Sequence, residues 1–465
     1  MTIRKNHSFF AQTEGLSPPI IRDMATGSPI DQALTFAEAS DHEAALRYSA
    51  ALLEADPRAA LRLLLTSWML GALGDQDNAK RGLEVAVERC VDAGNLPLSV
   101  AAARKLHEFG GDDAASLSLI AQAFAKGSKR LLEKRGAPPN LPGVSPDFTP
   151  LANSLKGEAL LKKAASIVDA SIAAFKTERA ANPAPKLSPQ VLFSSLDEPG
   201  LLDMIEILDV RVVAGGKVLA EEGSTGDEAF FVARGELDVQ KATSKPGAAP
   251  IALARLGSGA LFGEMALLSR APRTATVVAA VPCVVLVAKK ADLAHVVSKA
   301  PSVGREFAEF CRRRMLENLM RTNFILRAAS PAERPALIER FSIRTFEAGD
   351  KIVTQGAQPE GLHLIALGEV AVVYQDKSDS TIVTKLGPGE VVGEVALVLR
   401  RPAITDVVAH HPTVTLFLAR ERLMELVKAH PKVFLDLYEL AVKRDEETSH
   451  MASEEATETD DFVIV

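Results

Sequence analysis

Glycines recur through the C-terminal part of the chain at fixed distances. Gly223 and Gly235 are matched 133 positions later by Gly356 and Gly368, and Gly263 is matched 130 positions later by Gly393. The stretch "AGGKVLAEEGSTGDEAFFVARGELDVQ", starting at Ala214, and "EAGDKIVTQGAQPEGLHLIALGEVAVV", starting at Glu347, both break short Val, Leu, Ile and Phe runs with turn residues at near-regular spacing. That spacing predicts an all-β barrel or jelly roll. The duplication predicts two copies of it, the second with a loop three residues shorter. Helical text follows each copy: "KKADLAHVVSKAPSVGREFAEFCRRRMLENLMRTN" after the first and "RERLMELVKAHPKVFLDLYELAVKRDEE" after the second.

The N-terminal third is of another kind. Residues 1–29 are polar, carry Gly and Pro and are expected to be disordered. From residue 30 to 133 the text is helical. "DHEAALRYSAALLEADP" begins at Asp41 and "DQDNAKRGLEVAVERCVDAGN" at Asp75, a step of 34, and both show apolar residues three and four apart. The step resembles a tetratricopeptide-like helix–turn–helix repeat without its full signature, and an ordinary helical bundle is the alternative. On either reading the region is a docking or spacing module. Five prolines in residues 134–150 mark a linker. In residues 151–190 a helix carries Leu161, Ala164, Val168, Ile172 and Phe175 on one stripe, expected to pack on its own domain rather than form a dimer seam, and "ANPAPKLSP" is a second linker. The expected architecture is therefore α+β and multidomain: a helical-repeat region, a β-roll at 191–323, a second at 324–445, each with flanking helices, and an acidic tail at 446–465.

Composition closes several routes. With 465 residues and 47% hydrophobic content, two to four ordinary cores are possible. The three cysteines, Cys90, Cys283 and Cys311, lie far apart and form neither a metal spacing nor a disulfide framework. The N-terminus shows no secretory apolar run, and the longest apolar stretch, "TVVAAVPCVVLVA", is too short for a bilayer span, so a cytoplasmic protein with no membrane span is expected. The net charge of −7 is concentrated between Asp445 and Asp461, which leaves the body nearly neutral and implies no face for nucleic acid.

Chemistry enters with "LFGEMALLSRAPRTATVVA", residues 261–279. A short helix opening at Gly263 presents unpaired N–H groups, and ten residues later Arg273 starts a strand that can return beside it; fixed donors and a planar guanidinium form a phosphate pocket. Thr274 and Thr276 add hydroxyls. Glu264 is out of place in an anion site unless the ligand also brings a hydroxyl donor such as a ribose 2′-OH. Phosphate and ribose together indicate a nucleotide, and the lack of a P-loop or magnesium cluster argues against a triphosphate. Singly, Glu264 would be a helix-terminal charge and Arg273 a surface ion pair; the joint pattern outweighs both readings.

These residues resemble the phosphate-binding cassette of the cyclic-nucleotide-binding domain family, found in catabolite activator proteins, protein kinase A regulatory subunits and cyclic-nucleotide-gated channels. The cassette pattern, Phe-Gly-Glu-x-Ala-Leu followed by Pro-Arg-small-Ala-Thr, fits residues 262–276 throughout. The resemblance implies that Arg273 pairs with a cyclic phosphate, that Glu264 accepts from the ribose 2′-OH, and that the N–H groups of Ala266 and Thr274 cradle the phosphate where Gly263 gives room. It leaves cAMP or cGMP open, with cAMP favoured, and implies no cofactor besides that ligand. The base would be covered from residues 306–321.

In the second copy Gly393 and Glu394 remain, but Arg273 is replaced by Ala403, Thr274 by Ile404 and Thr276 by Asp406. The counter-charge is gone and Asp406 is expected to repel phosphate, while Arg400 and Arg401 are expected to face solvent. His410 and His411, as strand neighbours, would point to opposite faces and share no metal. The reading that follows is a non-enzymatic cyclic-nucleotide sensor or adaptor with a degenerate, structural or partner-binding second domain, a protein partner at the helical region, and homo-oligomerisation left open. The alternatives are a protein-kinase-A-like regulatory subunit, against which Pro138 in "KRGAPP" counts, and a scaffold with both pockets empty. The terminal Phe462-Val463-Ile464-Val465 is either a frayed end or a strand-forming motif.

Overall fold

The computed structural model describes residues 28–133, 148–242, 249–268, 272–328, 330, 333–376 and 379–460. The expected disordered start, most of the proline-rich linker and the Phe462–Val465 motif lie outside these residues. Six helices open the fold: α1 Pro29–Glu38, α2 His42–Ala55, α3 Ala60–Ala72, α4 Gln76–Asp92, α5 Leu96–Glu108 and α6 Ala114–Phe124. The 34-residue step is structural. Asp41 and Asp75 adopt the same backbone angles, φ −83° and ψ 72°, and each caps its helix by accepting from the third N–H onward, that of Ala44 or Asn78. Consecutive helices α1 to α5 pack on one another, and α7 (Gly157–Ala181) lies across α2, α3 and α4. Leu160, Ala164, Ile167, Val168, Ser171 and Phe175 form its buried face, so the stripe faces its own domain, with Leu161 and Ile172 at its margin.

Two expectations about this region are corrected. It is no separate spacer, and residues 181–189 are no free linker. Leu187 is buried and its backbone is paired: Leu187 N donates to Arg130 O at 2.7 Å and Leu132 N donates to Leu187 O at 2.8 Å. One apolar core runs from Leu34 through the helices and on to Cys311. A buried ion pair, Arg234 with Asp31 at 2.5 Å, ties the start of the helical region to the first β domain. The reason is area: the β-roll has an outer face rich in apolar residues, and α5 covers it.

After α8 (Glu198–Glu206) come β1 Asp209–Val213, β2 Val218–Ala220, β3 Glu228–Arg234, β4 Leu237–Lys241, β5 Ile251–Leu256, β6 Leu261–Phe262, α9 Glu264–Leu268, β7 Thr276–Ala279, β8 Cys283–Lys289, α10 Lys290–Lys299 and α11 Pro301–Thr322. The second unit follows α12 Phe324–Ala328 and α13 Arg334–Ile338. It comprises β9 Ser342–Phe346, β10 Lys351–Val353, β11 Gly361–Leu367, β12 Val370–Asp376, β13 Asp379–Leu386, β14 Val391–Val392, α14 Glu394–Val398, β15 Asp406–Ala409, β16 Thr413–Ala419, α15 Arg420–Ala429 and α16 Pro431–Asp460. The first unit has antiparallel sheets β1-β8-β3-β6 and β2-β7-β4-β5; the second has β9-β16-β11-β14 and β10-β15-β12-β13, the same order twice. A register shift after Val232 recurs after Ile365, and the glycines that follow, Gly235 and Gly368, have φ of 108° and 87°. A Cβ on Gly368 would come within 2.5 Å of Pro412 O, so only glycine fits.

The boundary expected at 323 falls inside shared packing. Val303, Phe307, Phe310 and Cys311 of α11 belong to the first core, Met315 and Leu319 to the second. The expected tail at 446–465 is also corrected: α16 continues to Asp460. Val433 and Leu437 anchor it in the second core, and Ala441 and Thr448 are buried. Acidic text without apolar area cannot fold alone, but here it extends a helix already nucleated by a packed face. No helix among the described residues is long and apolar enough to cross a membrane.

Candidate functional site

The turn before β3 and the turn before α9 approach each other, and glycines line both. A Cβ on Gly226 would lie 2.5 Å from Arg273 Nη2, and one on Gly263 (φ 78°) would lie 2.6 Å from Arg273 Nη1. The two hydrogen atoms that stand in place of side chains thus make a seat for the guanidinium. In it Arg273 donates to Gly263 O at 3.0 Å and to Glu228 O at 2.6 Å. Burial pulls the guanidinium below the usual arginine range, against the fields of Glu228, Glu264 and Asp227. Its partners are carbonyl dipoles rather than a full negative charge, so a phosphate at this place would be the stronger acceptor.

Glu264 opens α9 and is 4% exposed. Burial raises its carboxyl above the ordinary carboxylate range, and Arg314 and then its own N–H work the other way. Arg314, on α11, is the residue that the sequence reading missed: its Nε lies 3.3 Å from Glu264 Oε1, and its Nη1 donates to Leu261 O at 2.9 Å. The other expected residues are less uniform. Ala266 is buried, and its N–H already donates to Gly263 O at 3.3 Å. Thr274 is exposed. Thr276 has a structural task, its Oγ1 accepting from Glu222 N at 3.0 Å.

The second unit repeats this construction with altered parts. Glu394 is 2% exposed, burial raises its carboxyl, and Arg444 of α16 opposes that. Arg444 Nη1 donates to Glu394 Oε1 and to Val391 O, both at 2.6 Å. Arg314 and Arg444 are 130 positions apart, as are Glu264 and Glu394, and Leu261 and Val391. The duplication therefore reaches into the terminal helices, and that offset is the signal that could have found both arginines. The backbone around the lost arginine is also kept: Ala403 N donates to Ala357 O at 2.9 Å where Arg273 N donates to Ser224 O at 2.8 Å.

One wall of the guanidinium seat is changed. Pro359 stands at the position of Gly226, and its Cβ faces Gly393 (φ 86°). Ala403 is buried in an apolar cluster with Val353 and Val407, and together with Ile404, Glu394, Arg444 and Thr448 these residues line a pocket partly open to solvent. Two expectations change here. Asp406 is not a free repelling charge: it is 1% exposed, accepts from Gln355 N at 2.8 Å as Thr276 accepts from Glu222 N, and pairs with Lys351 Nζ at 2.7 Å. Arg401 is only partly exposed and pairs with Asp445 of α16. The histidine expectation changes as well. His410 and His411 lie in the turn between β15 and β16, not in a strand, and their rings stand 4.7 Å apart at 71°.

Comparison with known proteins agrees with this geometry. The model of the cyclic nucleotide-binding domain matches residues 210–300 and 343–430. The cAMP-dependent protein kinase regulatory subunit of Mucor circinelloides f. lusitanicus is 28% identical over 224 residues, 48% of this chain and 49% of that protein. That of Blastocladiella emersonii is 27% identical over 217 residues, 46% of this chain and 51% of its own length. The chain spans about half the length of the curated relatives it matches. Among solved structures, the regulatory domain of Toxoplasma gondii PKA with cAMP is 26% identical and covers 55% of this chain and 93% of its own, with a TM-score of 0.25. The two β units, with the same strand order and the same buried glutamate, thus coincide with the two segments that match the cyclic nucleotide-binding domain.

Proposed function

We propose that this chain is a non-catalytic cyclic-nucleotide receptor, with one ligand, cAMP in preference to cGMP, bound by the first β domain. The observation that carries this is the Arg273 guanidinium, held between Gly226 and Gly263 with carbonyls as its hydrogen-bond partners. A cyclic phosphate would take over those donors, and a ribose hydroxyl would donate to Glu264. The hydroxyl would then compete with Arg314, whose helix α11 contributes to both cores, so ligand occupancy in the first domain would alter packing in the second. The second domain keeps the buried glutamate without the counter-charge. Loss of one charge-assisted hydrogen-bonding group costs roughly 1.5–3 kcal/mol, about ten- to a hundredfold in affinity. Its role on this reading is structural or partner-binding, with the helical region offering a further protein surface.

Titration calorimetry with cAMP and cGMP tests the reading. One site per chain with Arg273→Ala abolishing it is expected; a stoichiometry near two, near zero, or unaffected by that change overturns it. A second reading, a kinase-regulatory subunit, rests on the names of the relatives above. Cyclic-nucleotide-reversible inhibition of a protein kinase A catalytic subunit by the purified chain is its test.

A further inference from the structure

Glu369, in the turn between β11 and β12, and the pair His410–His411 between β15 and β16 bring their donor atoms within 4.8 Å of one another. The backbone beneath is locked: His410 N and His411 N donate to Glu369 O at 2.8 and 3.2 Å, and Thr413 Oγ1 donates to His411 O at 2.7 Å. Lys385 Nζ lies 2.7 Å from His410 Nε2 and 3.1 Å from Glu369 Oε1. An ammonium can only donate, so His410 Nε2 must be the acceptor, with its lone pair aimed at a place where a positive charge already sits.

The first domain shows what this turn needs in order to fold. There Glu236 occupies the place of Glu369, Ala280 N donates to Glu236 O at 2.8 Å, and Arg255 pairs with Glu236 at 3.2 Å. The residues matching His410 and His411 are Ala280 and Val281. Backbone lock and cross-strand ion pair are thus common to both copies, and the two imidazoles are an addition that the turn does not require. The second copy also has lysine for arginine, which replaces a rigid fork with a flexible point charge that can swing away.

We propose that Glu369, His410 and His411 form a binding site for a divalent transition ion of the zinc type, which clamps the two turns at this end of the second β domain. Two imidazoles and a carboxylate are a donor set for such an ion, and bonds of about 2.0–2.2 Å need only side-chain rotation from the present separations. The ion displaces the Lys385 ammonium from His410 Nε2, and water completes the coordination. Only the Lys385–His410 hydrogen bond is lost; no covalent bond is broken and no oxidation state changes.

The test is calorimetric titration of the full chain with zinc chloride in buffer free of chelators, with a thermal melt alongside. His410→Ala and His411→Val install the first-domain residues, so both variants keep the fold. Each should lower the zinc affinity at least about tenfold and abolish the zinc-dependent rise in melting temperature. Lys385→Met, which removes the competing ammonium, should tighten binding. Histidine variants that titrate like the unaltered chain, or a Lys385→Met variant that binds more weakly, would overturn the proposal.

Discussion

Installing arginine in the second pocket separates a missing charge from a missing place to put it. In the first domain the guanidinium lies where Cβ atoms on Gly226 and Gly263 would approach within 2.5 and 2.6 Å. The second domain retains Gly393 but has Pro359 at the other wall. Ala403→Arg alone therefore adds a charged group worth roughly 1.5–3 kcal/mol toward a phosphate, and must crowd Pro359 and the apolar neighbours of Ala403 at a cost of roughly 1–3 kcal/mol. The two nearly cancel, and the single variant should bind cAMP about as poorly as the unaltered domain. Pro359→Gly reopens the seat, so the double variant should gain about ten- to a hundredfold in affinity. Calorimetry on an Arg273→Ala background reads the second site by itself, and a melting curve shows that the domain stays folded. A single variant that gains as much as the double would refute the argument from the seat. A folded double variant that gains nothing would refute the assignment of the second pocket as a cyclic-nucleotide site lacking only the counter-charge and its seat.

Other outcomes follow from the same geometry. Arg273→Ala should lower the melting temperature modestly without unfolding the domain, since two carbonyls lose their partner, while weakening cAMP binding by about a hundredfold or more, as measured by calorimetry. Burial raises the Glu264 carboxyl, so its acceptor form is lost on acidification earlier than for an ordinary carboxylate. cAMP affinity should accordingly decline with falling pH from above the usual carboxylate range, and Glu264→Gln should bind more weakly at neutral pH without that decline. His363 is buried against Phe346, Phe417 and Thr415, and burial, then Arg344, lowers its pKa to about 4. With the folded value below the unfolded one, its neutral form stabilises at high pH, and stability is lost as pH falls from about 6.5 towards 4, by up to ~3 kcal/mol. Chemical denaturation of the unaltered chain and of His363→Phe at pH 7 and pH 4.5 should show the smaller acid loss in the variant.

What could be read in the sequence was whatever local chemistry enforces. Gly235 and Gly368 had to be glycine because of positive φ and close approach, so they recur at a fixed offset and disclose the duplicated fold. Asp41 and Asp75 cap helices through contacts within one turn, and the 34-residue step showed them. The cassette was legible because Gly263, Glu264 and Arg273 lie within eleven positions. What stayed hidden depends on contacts between distant segments. That Gly226 is one wall of the guanidinium seat, and that Pro359 stands at its counterpart, depends on segments no local pattern joins. Arg314 and Arg444 sit in charge-rich helical text where another arginine carries no local signal, 50 positions from the glutamates they reach. His410 and His411 were assigned by strand alternation, whereas a turn brings their rings together. The same reasoning explains why the second domain is better described as rebuilt than as decayed. Ala403 lies in an apolar cluster, Pro359 stands where the first domain has Gly226, and the Asp406–Lys351 pair is a satisfied charge, all beside a pocket that stays partly open. The buried Glu394 keeps a partner in Arg444, and that pair joins α14 to α16.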